Sequence, residues 1–384
     1  MSNDLQALVP RILAQALKTL RENVVLPQLV RTDLSAEAKQ RGQTVDVPIP
    51  FGMGEADEVV PSHLHSPTQD IAPAYARIAL NRWFEKKLYL TDKDAGDIMD
   101  GIIPMQLQEA ARSLANRIDK DIWNLYKKVP NVIGTAGQTP FQDVTDPTQV
   151  YHKLGAALEA RRILNRNLAP QEDRRLVLNV DADANASGLR GFQSAADFGS
   201  DSVVRNGQIR RASGYDWFMS QNSPTHVNGT TGTVVTNGSP PLVNKAGDTT
   251  LIVSGATAVG VGDKFSIAGH SQQYTILENS TTTTLLIYPG LAVDVPTSSA
   301  VTVYSSGAGA DISLAFHPWA FAFVARPMLD VVAPGSIVES YVDNVTGIPL
   351  RLEIARQNRQ TVFMLDILYG VDVLRPELAV AIYG

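Results

Sequence analysis

An abrupt change in composition at His226 places the strongest constraint on how this chain can fold. From Val227 to Ser306 the sequence is rich in Thr, Val, Ser and Gly, has few charged residues and shows no helical period. Short apolar runs separated by Gly, Pro and Asn are typical of a small antiparallel barrel or sandwich. Mixed helical and strand patterns resume after it. We therefore predict an inserted all-β, barrel-like domain within a discontinuous α+β domain.

The segment from Ile103 to Lys128 predicts the longest helix of the chain. Its apolar residues recur in steps of three or four, which would align them along one side of a helix. They are Ile103, Leu107, Ala110, Ala111, Leu114, Ile118, Ile122 and Leu125. Pro104 suits a first helical turn, and Pro130 cannot continue the helix. We expect a spine helix with one buried stripe.

Two N-terminal stretches are expected to reach outside a compact subunit. Residues 5–29 carry apolar residues at four-residue steps, which indicates an amphipathic arm or an ordinary surface helix. Strand-like alternation at residues 45–49 and 75–81 frames a polar, acidic loop, which we interpret as an extended hairpin. Because a lone two-stranded hairpin is marginally stable, the sequence predicts a homo-oligomer.

Opposite charges on the hairpin tip and the spine helix predict a contact between copies of the chain. Such complementarity aids specificity and registration more than affinity. The predicted inter-subunit contacts are Glu55, Asp57, Glu58, Arg112, Arg117 and Lys120.

The rest of the chain reads as alternating helix and strand. Residues 147–164 have a helical pattern, and Arg174–Val180 reads as a buried strand. A bent strand is expected from Ile209. After the insertion, helical and α/β character is expected to resume. The last stretch reads as two strands broken by the segment Gly370–Pro376.

The composition excludes several classes of function. Charged residues make up 19% of the chain and the net charge is −6, so the clustered Lys and Arg of a tight nucleic-acid binder are not expected. There is no cysteine, which excludes disulfides, Cys-based zinc sites and thiol nucleophiles. The sequence shows neither a secretion signal nor an apolar run long enough to span a bilayer. We expect a soluble, unexported protein.

Two patterns resemble metal sites, and we reject both. His63 and His65, with Asp57 or Glu58, could begin a site, but no third His or Cys follows at ligand spacing, so a solvated loop is favoured. Residues 181–185 open like a calcium loop. However, that loop needs Gly where the chain has Ala186, and a bidentate Glu where it has Phe192.

No catalytic or cofactor motif is found elsewhere. Gly260, Gly262 and Gly269 lack the helix N-terminus that a dinucleotide-binding fingerprint requires, so we assign them to β-turns. We predict that the chain is not an enzyme and binds no cofactor or metal. A cryptic hydrolase stays an alternative, as does a tail or adhesin module whose β insertion binds carbohydrate.

The order of these parts resembles the major capsid protein of tailed bacteriophages with the Hong Kong 97-type fold, in particular the podovirus branch that carries an inserted β-barrel. The resemblance covers most of the chain and rests on the order of four segments. They are QEAARSLANRIDKDI (Gln108–Ile122), LVLNVDADA (Leu176–Ala184), GDKFSIAG (Gly262–Gly269) and LYGVDVLRPELAVAI (Leu368–Ile382).

The resemblance implies an α+β subunit with the parts of that fold. They are an N-terminal arm (1–41), an extended hairpin loop (42–84), a peripheral domain with the spine helix (85–129), the first part of an axial domain (130–225), the inserted β-barrel domain (226–307), and the second part of the axial domain with closing peripheral strands (308–384). The insertion is shorter than in the best-known coat proteins of this branch.

The resemblance also implies the partners. Hexamers and pentamers would form an icosahedral shell around double-stranded DNA, assembled in the host bacterial cytoplasm with a scaffolding protein, a portal protein and an optional decoration protein. Contact with the packaged DNA would be weak and non-specific, and no membrane is involved. In the arm, the candidate scaffold contacts are Arg11, Lys18 and Arg21.

Overall fold

The computed structural model describes residues 13–20, 24–32, 44–49, 74–91, 102–143, 152–193, 209–237, 244–304, 309–330, 336–343 and 346–384. The chain divides into two compact units, and the division falls within the long helix. Unit 1 comprises Met1–Thr19, Thr32–Ala111 and Phe323–Leu374, and unit 2 comprises Leu20–Arg31, Arg112–Ala322 and Arg375–Gly384.

Among the described residues, strands outnumber helices in both units. The helices are α1 (residues 13–20), α2 (Ile102–Trp123), α3 (Gly155–Arg166), α4 (Val180–Gly188) and α5 (Arg190–Gln193), with 3-10 turns at Leu26–Gln28, Asn124–Lys128, Pro318–Ala320 and Pro376–Leu378. The strands are β1 (Thr44–Ile49), β2 (Ala74–Ala79), β3 (Arg82–Thr91), β4 (Val132–Gly134), β5 (Arg175–Leu178), β6 (Arg211–Ala212), β7 (Tyr215–Met219), β8 (Thr225–His226), β9 (Thr231–Thr236), β10 (Thr250–Ala258), β11 (Lys264–Ile267), β12 (Gln273–Ile276), β13 (Thr284–Tyr288), β14 (Val301–Val303), β15 (Ala310–Phe316), β16 (Phe321–Ala325), β17 (Ser336–Val342), β18 (Pro349–Gln357), β19 (Gln360–Val373) and β20 (Ala379–Tyr383).

The predicted long helix is present, with a buried stripe. Its buried residues include Leu107, Ala110, Ala111, Leu114, Ala115, Ile118 and Ile122. These positions repeat every three or four residues, as one side of an α-helix does. The α-helix ends at Trp123, and a 3-10 turn continues to Lys128. The sequence therefore located the element and its buried side, while the last five residues wind more tightly.

Unit 1 is built mainly on a five-stranded sheet in the order β16-β19-β18-β17, with β3 paired to β19. The pairs β17–β18, β18–β19 and β19–β3 are antiparallel. On one face of β19, Phe363, Leu365 and Ile367 are buried. A separate two-stranded sheet pairs β1 with β2, so that Val45 faces Ile78 across the strands. Both predicted hairpin strands therefore exist and pair, and the loop between them lies outside the described residues.

Unit 2 contains a seven-stranded mixed sheet in the order β4-β20-β15-β5-β7-β6, with β8 paired to β15. The central strands are buried on both faces, and β5 pairs in parallel with β7. The predicted strand at Arg174–Val180 ends early at Leu178, because the Asn179 side chain accepts a hydrogen bond from the Ala182 N–H and caps α4.

The inserted region forms its own six-stranded antiparallel sheet in unit 2, in the order β14-β11-β12-β13-β10-β9. Its outer strands also meet: Val235 on β9 forms an antiparallel bridge with Ala300, just before β14, and the Thr236 N–H donates to the Ser299 carbonyl over 2.9 Å. One hydrophobic cluster fills this sheet, and it consists of Val234, Leu251, Val253, Phe265, Ile267, Tyr274, Ile276, Leu285, Ile287, Leu291, Val295 and Val301.

The expectation of helix after the insertion is wrong for the part that the structure describes. Residues 309–330, 336–343 and 346–384 hold strands and two 3-10 turns. The apolar run that suggested a helix is divided into two strands, β15 and β16, by the turn at Pro318. Both strands are buried, and a short continuous apolar run does not distinguish a buried strand from a buried helix.

Two predicted boundaries also shift. β19 runs through Gly370, and the break falls at the turn Pro376–Leu378. Gly370 lies so close to the Ala79 carbonyl that a Cβ would come within 2.4 Å of its oxygen, so this glycine allows close strand packing. The helix predicted at residues 147–164 begins at Gly155, and residues 144–151 lie outside the described part of the chain.

Candidate assembly surfaces

The three bases predicted on the spine helix lie on the exposed side of α2. Arg112, Arg117 and Lys120 are all exposed, opposite the buried stripe. Arg117 also pairs with Asp121 one turn later, with 3.4 Å between guanidinium and carboxylate. The acids Glu55, Asp57 and Glu58 lie outside the described residues. The three basic residues of the predicted contact therefore lie together on one exposed side of α2. Their contact with the acidic residues of a neighbouring copy stays a prediction.

The β1–β2 hairpin has one apolar and one polar face. Val45, Val47 and Ile78 are buried, whereas Asp46 and Arg77 face outward directly opposite each other. The Arg77 Nε donates to Asp46 Oδ1 over 2.8 Å, and this hydrogen bond lowers the pKa of the Asp46 carboxyl. An ion pair this exposed contributes little stability but favours the observed strand register.

Strand β3 carries two exposed aromatic side chains that sequence reasoning missed. Trp83 is 62% exposed and Tyr89 is 72% exposed. The two residues are separated by an even number of positions along β3, so their side chains project from the same face of the sheet. In the described part of the chain, β3 pairs only with β19 and is an edge strand. The signal in the sequence was the placement of both aromatics on the polar side of an alternating strand.

A nearly buried ion pair lies beneath this aromatic face. The Arg351 guanidinium donates to both oxygens of Asp366, over 3.0 and 2.6 Å, and the Trp83 indole N–H donates to Asp366 Oδ2 over 3.1 Å. The hydrogen bonds to Asp366 raise the pKa of Arg351. Exposed Trp and Tyr beside a paired Arg are typical of protein–protein interfaces.

The N-terminal segment provides one candidate scaffold contact and one buried attachment. Lys18 is exposed on α1, while Arg11 and Arg21 lie outside the described residues. In unit 2, the fully buried carboxylate of Asp119 accepts the N–H groups of Val25, over 3.3 Å, and Leu26, over 3.2 Å. These donors begin a 3-10 turn, so Asp119 caps that turn from a distant part of the chain.

Among the described residues, no cation is a hydrogen-bond partner of the Asp119 carboxylate. The third partner is the Asn222 side-chain amide, 3.5 Å away. Burial raises the pKa of Asp119 to about 6, although the backbone and amide donors act in the opposite direction. Sequence reasoning missed this residue because its partners are more than ninety positions away in the chain.

The described residues contain no group of three or more His, Cys, Asp or Glu side chains that could hold a metal ion. The calcium-like segment forms helix α4, with Asp181 and Asp183 in its first turn, and is not a loop. His63 and His65 lie outside the described residues. None of the described helices is both long and apolar enough to cross a membrane.

The aromatic residues of the inserted sheet do not form an exposed binding face. Phe265 and Tyr274 are fully buried and stack with their ring centroids 5.5 Å apart. Tyr288 and Tyr304 are half-buried. A carbohydrate-binding insertion was expected to expose aromatic rings, so the described part of this sheet gives that alternative no support.

Comparison with solved structures reveals likeness over nearly the whole chain. A structure from Mycobacterium phage Che8 matches with a TM-score of 0.53 and 13% sequence identity, covering 94% of this chain and 91% of that one. The capsid structure of the cyanophage P-SCSP1u matches with a TM-score of 0.50 and 14% identity, covering 93% and 86%. No family model and no curated protein sequence matches. The chain therefore has the fold of these phage structures, one of which is a capsid.

Proposed function

We propose that this chain is the major capsid protein of a tailed bacteriophage, which self-assembles into an icosahedral shell around double-stranded DNA. The observation that carries the proposal is the match to the cyanophage capsid structure, which extends over 93% of this chain. A match of that extent supports a likeness of the whole subunit rather than of one local motif. The exposed aromatic face of β3 supports self-assembly, because such a surface is normally covered by a partner.

The finer assignment follows the Hong Kong 97-type arrangement. We propose that α2 is the spine helix, that β1 and β2 are the base of an extended loop that laps a neighbouring subunit, and that residues 226–307 are the inserted β-barrel domain. The contact between the outer strands of the inserted sheet supports the barrel, because a closed sheet leaves no edge exposed.

The proposed partners are those of the family. Hexamers and pentamers would assemble in the host cytoplasm on a scaffolding protein, with a portal protein at one vertex and an optional decoration protein. The packaged DNA would touch the shell weakly and without sequence preference. Arg11, Lys18 and Arg21 are the proposed scaffold contacts, and the net charge of −6 supports a weak rather than a tight DNA contact.

Electron microscopy of the purified protein tests the proposal. The chain is expressed alone and together with the scaffolding protein encoded in the same genome, and particles are imaged after negative staining. Closed icosahedral shells are expected in the co-expressed sample. Monomers or trimers under all conditions would overturn the proposal.

A charge exchange tests the proposed contact between subunits. Reversing the acids in Glu55→Lys, Asp57→Lys and Glu58→Lys is expected to slow assembly, as measured by light scattering. Reversing Arg112→Glu and Lys120→Glu in the same chain is expected to restore part of the rate, because opposite charges again face each other. The matched control reverses three exposed acids outside helices, Glu172→Lys, Asp173→Lys and Glu278→Lys. If assembly slows in the acid-reversed variant and the reversed bases do not restore the rate, the acids contact a surface other than α2.

A further inference from the structure

A buried lysine joins the inserted sheet to the end of the long helix. Lys264 at the start of β11 has no exposed surface. Its ammonium group donates to the carbonyls of Tyr126, over 3.1 Å, and Lys127, over 2.9 Å, and to the Thr275 hydroxyl over 2.7 Å. Three acceptors thus surround the Nζ atom, one for each donor of an ammonium group, even though burial lowers the pKa of Lys264. The two carbonyls belong to the turn Asn124–Lys128, at the negative end of the helical segment.

A second contact imitates the pairing of β-strands. The side-chain amide of Gln273 on β12 accepts from the Val132 N–H over 2.7 Å and donates to the Val132 carbonyl over 3.0 Å. Beside it, Gly262 has a φ of +90° and lies against Lys127, where a Cβ would come within 2.7 Å of the lysine Cγ. A larger residue at Gly262 would therefore be strained and would also push the two parts of unit 2 apart.

A third contact includes the chain that enters the insertion. The Tyr126 hydroxyl lies 2.7 Å from His226 Nδ1, and His226 Nε2 lies 3.0 Å from Asp263 Oδ1. We assign the tautomer in which Tyr126 donates to Nδ1 and the Nε2–H donates to the carboxylate, because it satisfies every group. The other oxygen of Asp263 accepts the N–H groups of Thr230, over 2.7 Å, and Gly229, over 3.2 Å.

These three contacts are polar and directional, and those of Lys264 and His226 are buried, unlike the Gln273 contact, which is half-buried. We infer that they form a fixed joint, with Lys264 and Gln273 as positioning residues, through which the inserted sheet and the C-terminal end of the long helix move as one body. Two apolar surfaces can slide past each other with little loss of free energy. If the Lys264 side chain moves away from its acceptors, however, the buried carbonyls and the amino group lose their hydrogen bonds, which is unfavourable. The inference concerns the single subunit and does not depend on the proposed function.

Hydrogen exchange of the full chain, followed by mass spectrometry, tests the joint. Lys264→Met keeps most of the side-chain volume but removes the three donors. We expect exchange to accelerate about tenfold or more at residues 124–134, while the strands β15 and β20 keep their wild-type protection. The matched control is Lys245→Met, because Lys245 is an exposed lysine of the same inserted region. That variant is expected to exchange like the wild type at residues 124–134.

A second variant separates the joint from the folding of the inserted sheet. Gln273→Ala removes the contact with Val132 and leaves the hydrophobic cluster intact, so it too is expected to accelerate exchange at residues 124–134. The inference is overturned if both variants leave that region protected. It is also overturned if Lys264→Met unfolds the whole inserted sheet while Gln273→Ala exchanges like the wild type, since Lys264 would then be only a core residue.

Discussion

The inserted sheet of unit 2 and the hairpin region of unit 1 differ in whether their aromatic side chains are buried within the subunit or exposed. Both contain antiparallel strand pairs, and the hairpin region comprises β1, β2 and the following edge strand β3. The inserted sheet brings its outer strands together and buries its aromatic rings, including Phe265 and Tyr274. In unit 1, β2 and β3 leave Tyr75, Trp83 and Tyr89 exposed.

The difference indicates where each region obtains its stability. The inserted sheet has its own hydrophobic cluster, so its links to the rest of unit 2 can be polar and can specify orientation. In the hairpin region, β1 and β2 bury Val45, Val47 and Ile78, whereas β3 has the polar Trp83–Asp366 hydrogen bond and leaves two aromatic side chains exposed. We therefore expect substitutions in the inserted sheet to affect folding, and substitutions on β3 to affect assembly.

The largest effect on folding is expected for Phe265→Ala. Phe265 is fully buried in the cluster of the inserted sheet, and removing a buried phenyl ring typically costs about 3–5 kcal/mol because a cavity remains. Urea unfolding measures the loss. The control is Val293→Ala, at a side chain of the same region that is 54% exposed, with an expected change within about 0.5 kcal/mol. A loss below about 1 kcal/mol for Phe265→Ala would contradict a self-contained core.

A smaller, pH-dependent effect is expected for Asp119→Asn. Folded Asp119 has a pKa of about 6 against an ordinary 3.8, so the folded state binds the proton more tightly than the unfolded chain. Its contribution to the free energy of unfolding therefore falls as pH rises from about 4 to about 6, by about 3 kcal/mol, and is constant above that window. The variant lacks this contribution.

Denaturation at a series of pH values measures the difference between wild type and Asp119→Asn. We expect the difference to change between pH 4 and 6 and to level off at higher pH. Glu172→Gln, at an exposed loop residue, serves as the control and should follow the wild type at every pH. If the free energy of unfolding of Asp119→Asn and of the wild type changed with pH by the same amount between pH 4 and 6, the buried carboxylate would not titrate in this window.

Local patterns in the sequence were sufficient for the elements that depend on them. The stripe of the long helix repeats every three or four residues, and β1 alternates at Val45 and Val47, so burial could be predicted from periodicity. The same periodicity placed Arg112, Arg117 and Lys120 on the exposed side. It failed at β15 and β16, where burial on both faces removes any alternation.

The long-range polar contacts could not be predicted in this way. Lys264 stands beside Asp263 in what reads locally as a turn of a Thr-rich region, and its partner Tyr126 is 138 positions away. From the sequence, Asp119 would be taken as one of several charged residues on the exposed side of a helix, although its side chain is buried. Such residues satisfy backbone groups of distant elements, so their role appears only when the tertiary structure brings those groups together.

The smallest effect on folding, and the sharpest contrast with Phe265→Ala, is expected for Tyr89→Ser. Tyr89 is 72% exposed, so the free energy of unfolding of the isolated subunit should change by no more than about 0.5 kcal/mol. Assembly should nevertheless slow, because an aromatic side chain on an edge strand is an anchor that a neighbouring subunit would cover. Light scattering with scaffolding protein measures the rate, and Val293→Ser is the matched control. If Tyr89→Ser assembles like the wild type, the aromatic face of β3 is not an assembly surface.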